Sequence, residues 1–159
     1  MRTLERLLPL PALTLGSLIL GSLALAPPAA ASLGADIGSV EADRVVLNGK
    51  VAIRNIAGYE VREITTPAGV HVREYLTAGG TVFGLSWQGP VRPDLRQMLG
   101  SYYARYAQAA AAPHAGGHRH LAVEQPGLVV ESNGRMRAFY GRAWDPALLP
   151  ANFQVADLR

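Results

Sequence analysis

Cysteine is absent from the 159 residues. No disulfide, thiolate nucleophile or cysteine-ligated zinc or iron–sulfur centre is therefore available. Charge is sparse, at 17% of the chain, with 15 Lys plus Arg against 12 Asp plus Glu. Lys50 is the only lysine, and no basic run occurs. Electrostatic capture of a nucleic acid needs a dense Lys/Arg patch, so no nucleic-acid partner is expected. Neither GxGxxG nor a Walker loop occurs. Gly79-Gly80 reads as a turn without a following phosphate-binding helix, so no cofactor is expected. Asn48, Asn55, Asn133 and Asn152 all lack the hydroxyl two residues on that N-glycosylation requires. Hydrophobic residues, at 49%, rule out wholesale disorder, and the length suits one domain.

What is present begins with an address. Arg2 and Arg6 make a positive start, and no charged side chain occurs from Leu7 to Ala26. Pro27-Pro28 then breaks the run, and Ala29-Ala30-Ala31 supplies the small residues of a signal-peptidase site. Residues 1–31 read as a signal peptide cleaved after Ala31, with an uncleaved anchor as the alternative. Residues 32–159 then form a single exported domain, periplasmic or secreted, that meets the membrane only through the segment removed.

Beyond it, a short helix capped by Ser39 is expected to about Leu47, ending at Asn48-Gly49. Period-two runs follow at Lys50–Ile56, Tyr59–Thr65, Val70–Leu76 and Thr81–Gln88. One register places Arg62 opposite Glu74 and Glu63 opposite Arg73, as a solvated face. Phe83, Leu85 and Trp87 are expected on one face of the fourth strand, against Val82, Gly84 and Ser86. Pro93 to about Ala111 reads as one long helix, with Leu95, Leu99, Tyr102 and Tyr106 on its inner stripe. A flexible His/Gly-rich loop at 112–120 precedes strands at Leu121–Gln125, Leu128–Ser132 and Arg135–Arg142. Asn133-Gly134 is the expected turn of the last hairpin. The fold class expected is α+β: an antiparallel meander sheet packed against one long helix, plus a short N-terminal helix.

Few residues offer chemistry. His114, His118 and His120 have a spacing that could converge on one metal ion, although Pro113, Gly116 and Gly117 in the same segment favour a solvated loop. Gly84-Leu85-Ser86-Trp87-Gln88-Gly89 has one residue too many for a nucleophile elbow and sits within a strand. Glu60 and Glu63 straddle a strand and make no matched acid/base pair. No catalytic residue is assigned. An enzyme of unfamiliar type would need carboxylates such as Glu63 or Glu74 in one cleft. Trp87, Tyr103 and Trp144 are candidate contact residues, combining large apolar area with a polar handle.

A resemblance runs along the chain: Val72-Arg73-Glu74-Tyr75, Thr81-Val82-Phe83-Gly84, Ser86-Trp87-Gln88-Gly89-Pro90 and Pro93 through Tyr102. It continues in Arg137-Ala138-Phe139 and Leu148-Leu149-Pro150. These blocks resemble a family of exported Gram-negative proteins known only as domain of unknown function 2844. The resemblance implies export and one compact domain, and it implies no catalytic residues. The leading expectation is a non-enzymatic accessory or binding domain whose partner is an envelope protein or component. The alternative is metal binding through the histidine loop.

Overall fold

The computed structural model describes residues 33–112 and 120–159. The alternating runs become strands Lys50–Ile56 (β1), Tyr59–Thr65 (β2), His71–Thr77 (β3) and Val82–Gly89 (β4), an up-and-down meander. A second meander comprises His120–Gln125 (β5), Leu128–Arg135 (β6) and Ala138–Trp144 (β7). The two join edge to edge through β4 and β7, so one antiparallel seven-stranded sheet runs β1-β2-β3-β4-β7-β6-β5. Tight turns enforce this order, since a two-residue connection admits only an antiparallel neighbour. The expected pairing of Arg62 with Glu74 and of Glu63 with Arg73 is the observed register.

The expectation of a sheet packed against one long helix is overturned, because the fold is dominated by the sheet. The helical stretch is broken into Leu95–Leu99 (α2), a 3-10 turn at Gly100–Tyr102 and Tyr103–Ala110 (α3), of five, three and eight residues. Asp94, expected inside the first turn, is instead the cap, accepting from the Arg96 and Gln97 amides at 2.8 and 3.4 Å. Gly100 ends α2 at φ 49, a conformation that interrupts α-helical bonding. The N-terminal helix (α1) spans Ile37–Val46, so Ser39 lies inside it rather than at its cap. Asn48 takes the left-handed conformation that ends it, at φ 47.

Period two gives the sheet two different faces. Ile64, Val72, Leu85, Trp87 and Val130 pack with Val40 of α1 and with Leu95, Met98, Leu99 and Tyr106 of the helical stretch. On the other face Val61, Tyr75, Phe83 and Trp144 pack with Phe153 and Leu158, from the segment after β7. Two local features depart from simple alternation. A β-bulge opposite Tyr75/Leu76 makes Phe83 an extra residue, since Tyr75 opposes Gly84 and Leu76 opposes Val82. Phe83 therefore leaves the face of Leu85 and Trp87, and Val82 joins it. The last hairpin turns at Met136-Arg137, with Arg137 at φ 62, not at Asn133-Gly134. Gly134 serves a different purpose: a Cβ there would meet the Phe139 ring at 2.8 Å.

The Arg/Glu face is also less solvated than expected. Glu74 is fully buried on the helix-bearing side, while His71 is exposed on the other. The segment proposed as a signal peptide, residues 1–31, lies outside the described residues, as does most of the histidine loop.

Candidate functional site

Following the ladder across the helix-free face gives one row of opposed residues: Glu63, Arg73, Ser86, Arg142 and Glu131, on β2, β3, β4, β7 and β6. The order is symmetric about Ser86. Strands lie about 4.8 Å apart, so the two arginines flank the serine from roughly 10 Å across. A small residue on the central strand leaves the hollow they border.

Each outer carboxylate holds its arginine. Glu63 Oε2 accepts from Arg73 Nε at 2.7 Å, and its Oε1 lies 3.0 Å from His71 Nδ1. Partial burial pushes the Glu63 carboxyl up, but the bonds from Arg73 and His71 outweigh it and hold the group below its ordinary value. On the other side Glu131 Oε2 accepts from Arg142 Nε at 2.8 Å. Arg142 Nη1 donates to the Val155 carbonyl at 2.9 Å, and its guanidinium lies 5.4 Å from the Trp144 ring centre. The donors of Arg142 are thereby engaged. Those of Arg73 are not: Nη1 and Nη2 have no partner among the described residues. Ser86 is 3% exposed, and its hydroxyl also has no partner among the described residues.

The C-terminal segment closes one end. Leu158 lies over Gly84, where a Cβ would meet its Cδ2 at 2.8 Å. The Tyr75 hydroxyl fixes this segment, accepting the Arg159 amide at 3.1 Å and lying 3.0 Å from the Arg159 carbonyl. The other end is the next row, where Gln88 opposes Tyr140 and Tyr140 opposes Asn133. These residues enclose a cavity of about 430 Å³, rimmed by Ala156 and Arg159. A neighbouring hollow shares Arg73, Gln88 and Arg159 and extends to Arg54 and Tyr59. The result is a polar trough of small-ligand size.

The contact residues expected from sequence are not brought together. Trp87 is buried on the helix-bearing face, and Trp144 is buried on the opposite face. Tyr103 is half-buried against the helix-side core, with the Arg96 guanidinium 4.8 Å from its ring centre. Of the metal candidates, His114 and His118 lie outside the described residues. His120 begins β5, with Nδ1 2.6 Å from Asn133 Oδ1. Among the described residues no group of three or more His, Asp or Glu is placed to hold a metal ion. Glu63 and Glu74 lie on opposite faces of the sheet and share no cleft. The lowered Glu63 carboxyl is also the reverse of what a general acid needs.

Sequence reading missed Gln88, Asn133, Tyr140 and Arg142. The available signal was the repeated Glu/Arg pairing at corresponding positions of two meanders. Placing Asn133-Gly134 in the turn hid it, because that register removes Asn133 from the strand and slides Glu131 away from Arg142.

No curated protein and no solved structure matches the chain. A family model does, over residues 29–158, and the chain belongs to that family, described as protein of unknown function DUF2844.

Proposed function

We propose that this chain is an exported, non-enzymatic binding domain that retains an envelope component in the trough around Ser86. The observation that carries the reading is the meeting in one cavity of the buried Ser86 hydroxyl, without a partner among the described residues, and of Arg73, whose bond to Glu63 uses only Nε. Buried polar groups are ordinarily satisfied, and those left open in a concave site await a ligand or solvent. The same observation weighs against catalysis by Ser86. A serine nucleophile needs a base in hydrogen-bond reach, and none touches this hydroxyl among the described residues. Export is supported by Arg2, Arg6, the uncharged stretch Leu7–Ala26 and the Ala29–Ala31 run.

The test is affinity capture from the native cell envelope with the full chain and with Arg73→Gln, followed by mass spectrometry of bait and captured material. The expected bait begins at Ser32. The expected envelope component is held by the native protein and lost by the variant at unchanged melting temperature. A bait retaining its first residues refutes cleaved export. A component held equally by both proteins refutes the trough as the binding surface.

A further inference from the structure

The trough's lining discriminates among ligands. Three arginines, Arg73, Arg142 and Arg159, border it, but Glu131 does too. Glu131 is paired with Arg142 at 2.8 Å, so the wall presents less open positive charge to a compact, multiply charged anion such as phosphate than three arginines would. The carboxylate accepts hydrogen bonds from hydroxyl groups. Gln88 and Asn133 each bring a carboxamide, which both donates and accepts, as a ligand hydroxyl does. Tyr140 is 53% exposed, so its ring is open to a partner, and its hydroxyl adds a further polar tip. One anion-binding position therefore adjoins a surface suited to neutral hydroxyls.

The spacing fits one molecule bridging both. Ser86 and Gln88 are two residues apart on β4, so the rows are separated by about 6.7 Å. A pyranose with an exocyclic carboxylate spans that separation, from the carboxylate to the hydroxyls on the far side of its ring. Arg73 has its Nε tied to Glu63 at 2.7 Å, which steadies the guanidinium and leaves the two Nη donors for a planar carboxylate. Ser86 opposes Arg73 in the cross-strand register, and both line the cavity.

We infer that the trough binds an acidic sugar, its carboxylate on Arg73 and Ser86 and its hydroxyls along Gln88, Tyr140 and Asn133. This rests on the binding reading above and supplies its ligand class. Ser86 contributes a further donor beside those of the arginine, and Glu131, by engaging Arg142, leaves one open guanidinium, which suits a single carboxylate better than a multiply charged phosphate.

The experiment is calorimetric titration of the full chain with D-glucuronate, D-glucose and inorganic phosphate, repeated on Ser86→Ala, Arg73→Gln and Tyr140→Ala. Ser86→Ala is nearly isosteric and is expected to keep the native melting temperature. The expected result is glucuronate binding at least about tenfold tighter than either other probe. Ser86→Ala and Arg73→Gln should each weaken it about tenfold, and Tyr140→Ala should weaken it too. Glucuronate binding unchanged in Ser86→Ala and Arg73→Gln overturns the site. Phosphate or glucose bound as tightly as glucuronate, yet lost in Ser86→Ala, overturns the ligand class and leaves the trough a binding site. Silence with all three probes overturns the acidic-sugar assignment, while envelope capture independently decides whether the trough binds anything.

Discussion

The two faces of the sheet are built from the same alternation and end differently. On the helix-bearing face, Ile64, Val72, Leu85, Trp87, Val130 and Val123 form an apolar surface, interrupted by the buried Glu74 and covered by α1, α2 and α3. On the other, apolar residues occupy only the end where Val61, Tyr75, Phe83 and Trp144 meet Phe153 and Leu158. One row along, the same face becomes Glu63, Arg73, Ser86, Arg142 and Glu131. Most of the hydrophobic burial thus lies on one side, which leaves half of the opposite face free to carry polar groups at little cost to the fold. The short C-terminal segment joins the two regimes: Leu158 packs on the aromatic cluster, and Ala156 and Arg159 rim the trough.

The sharpest way to break this division is at a point where the faces share a wall. Gly141 on β7 lies under the Trp87 indole, and a Cβ there would approach Trp87 at 2.3 Å and the Glu131 carbonyl at 2.5 Å. Gly141→Val is expected to cost about 3 kcal/mol, since neither a buried ring nor a strand backbone yields easily. Valine otherwise favours strands, so the loss reports overlap alone. Urea unfolding measures it, and a cost below about 1 kcal/mol would mean the indole has room to move.

A matched pair of truncations compares the faces directly. Leu99, the last residue of α2, is fully buried, whereas Phe153 sits on the C-terminal segment with its ring centre 4.7 Å from Phe83 and 5.0 Å from Tyr59. Leu99→Ala and Phe153→Ala should each lose about 3 kcal/mol. Their effects on the trough should differ. Phe153→Ala unseats the segment that rims the cavity and weakens glucuronate binding, while Leu99→Ala leaves the folded fraction binding normally. Equal loss of binding in both variants would mean that the faces are not energetically separable.

How far this architecture could be read from sequence follows from the same division. The β2–β3 pairing was legible because the Thr66–Gly69 turn fixes the register and because Arg62/Glu74 and Glu63/Arg73 then match charge to charge. The two departures were local. The extra residue at Phe83 carries no compositional mark, because a bulge depends on what the partner strand does. Asn133-Gly134 is a strong turn signal that lost to tertiary packing, since Gly134 is held beneath Phe139. The long helix failed at Gly100, where the apolar stripe continues in sequence but the backbone does not. The trough itself was illegible for a simple reason. It joins residues from β3, β4, β6 and β7, and the β4–β7 contact crosses between the two meanders, which nothing in the local sequence specifies.

A smaller effect tests how the C-terminal end of β7 is tied to the helical side. The Tyr102 hydroxyl donates to Asp145 Oδ2 at 2.8 Å, and burial, followed by that bond, raises its proton affinity. Asp145 is itself buried and also accepts from the Ala147 amide at 2.9 Å. Tyr102→Phe should cost about 1–2 kcal/mol, within the range for leaving a buried acceptor without its donor. Thermal unfolding at neutral pH measures it. An unchanged melting temperature would show that solvent satisfies Asp145 equally well.

The smallest expected effect isolates the carboxylate that steadies the open arginine. Glu63 titrates below its ordinary value of 4.5 in the folded protein, because the Arg73 and His71 bonds outweigh partial burial. A depressed carboxyl contributes stability that is fully present above the unfolded value and is lost as pH falls through the folded one. The native protein should therefore lose stability below about pH 4.5, and Glu63→Gln should lose less over the same interval. Glu63 is 22% exposed, so the difference should stay below about 1 kcal/mol. Urea unfolding of both proteins at pH 7 and pH 3 gives the comparison. Identical pH slopes would mean that Glu63 does not hold Arg73 by charge. A shallower slope in the variant, with weaker glucuronate binding at pH 7, would show that the Glu63–Arg73 bond orients the guanidinium for its ligand.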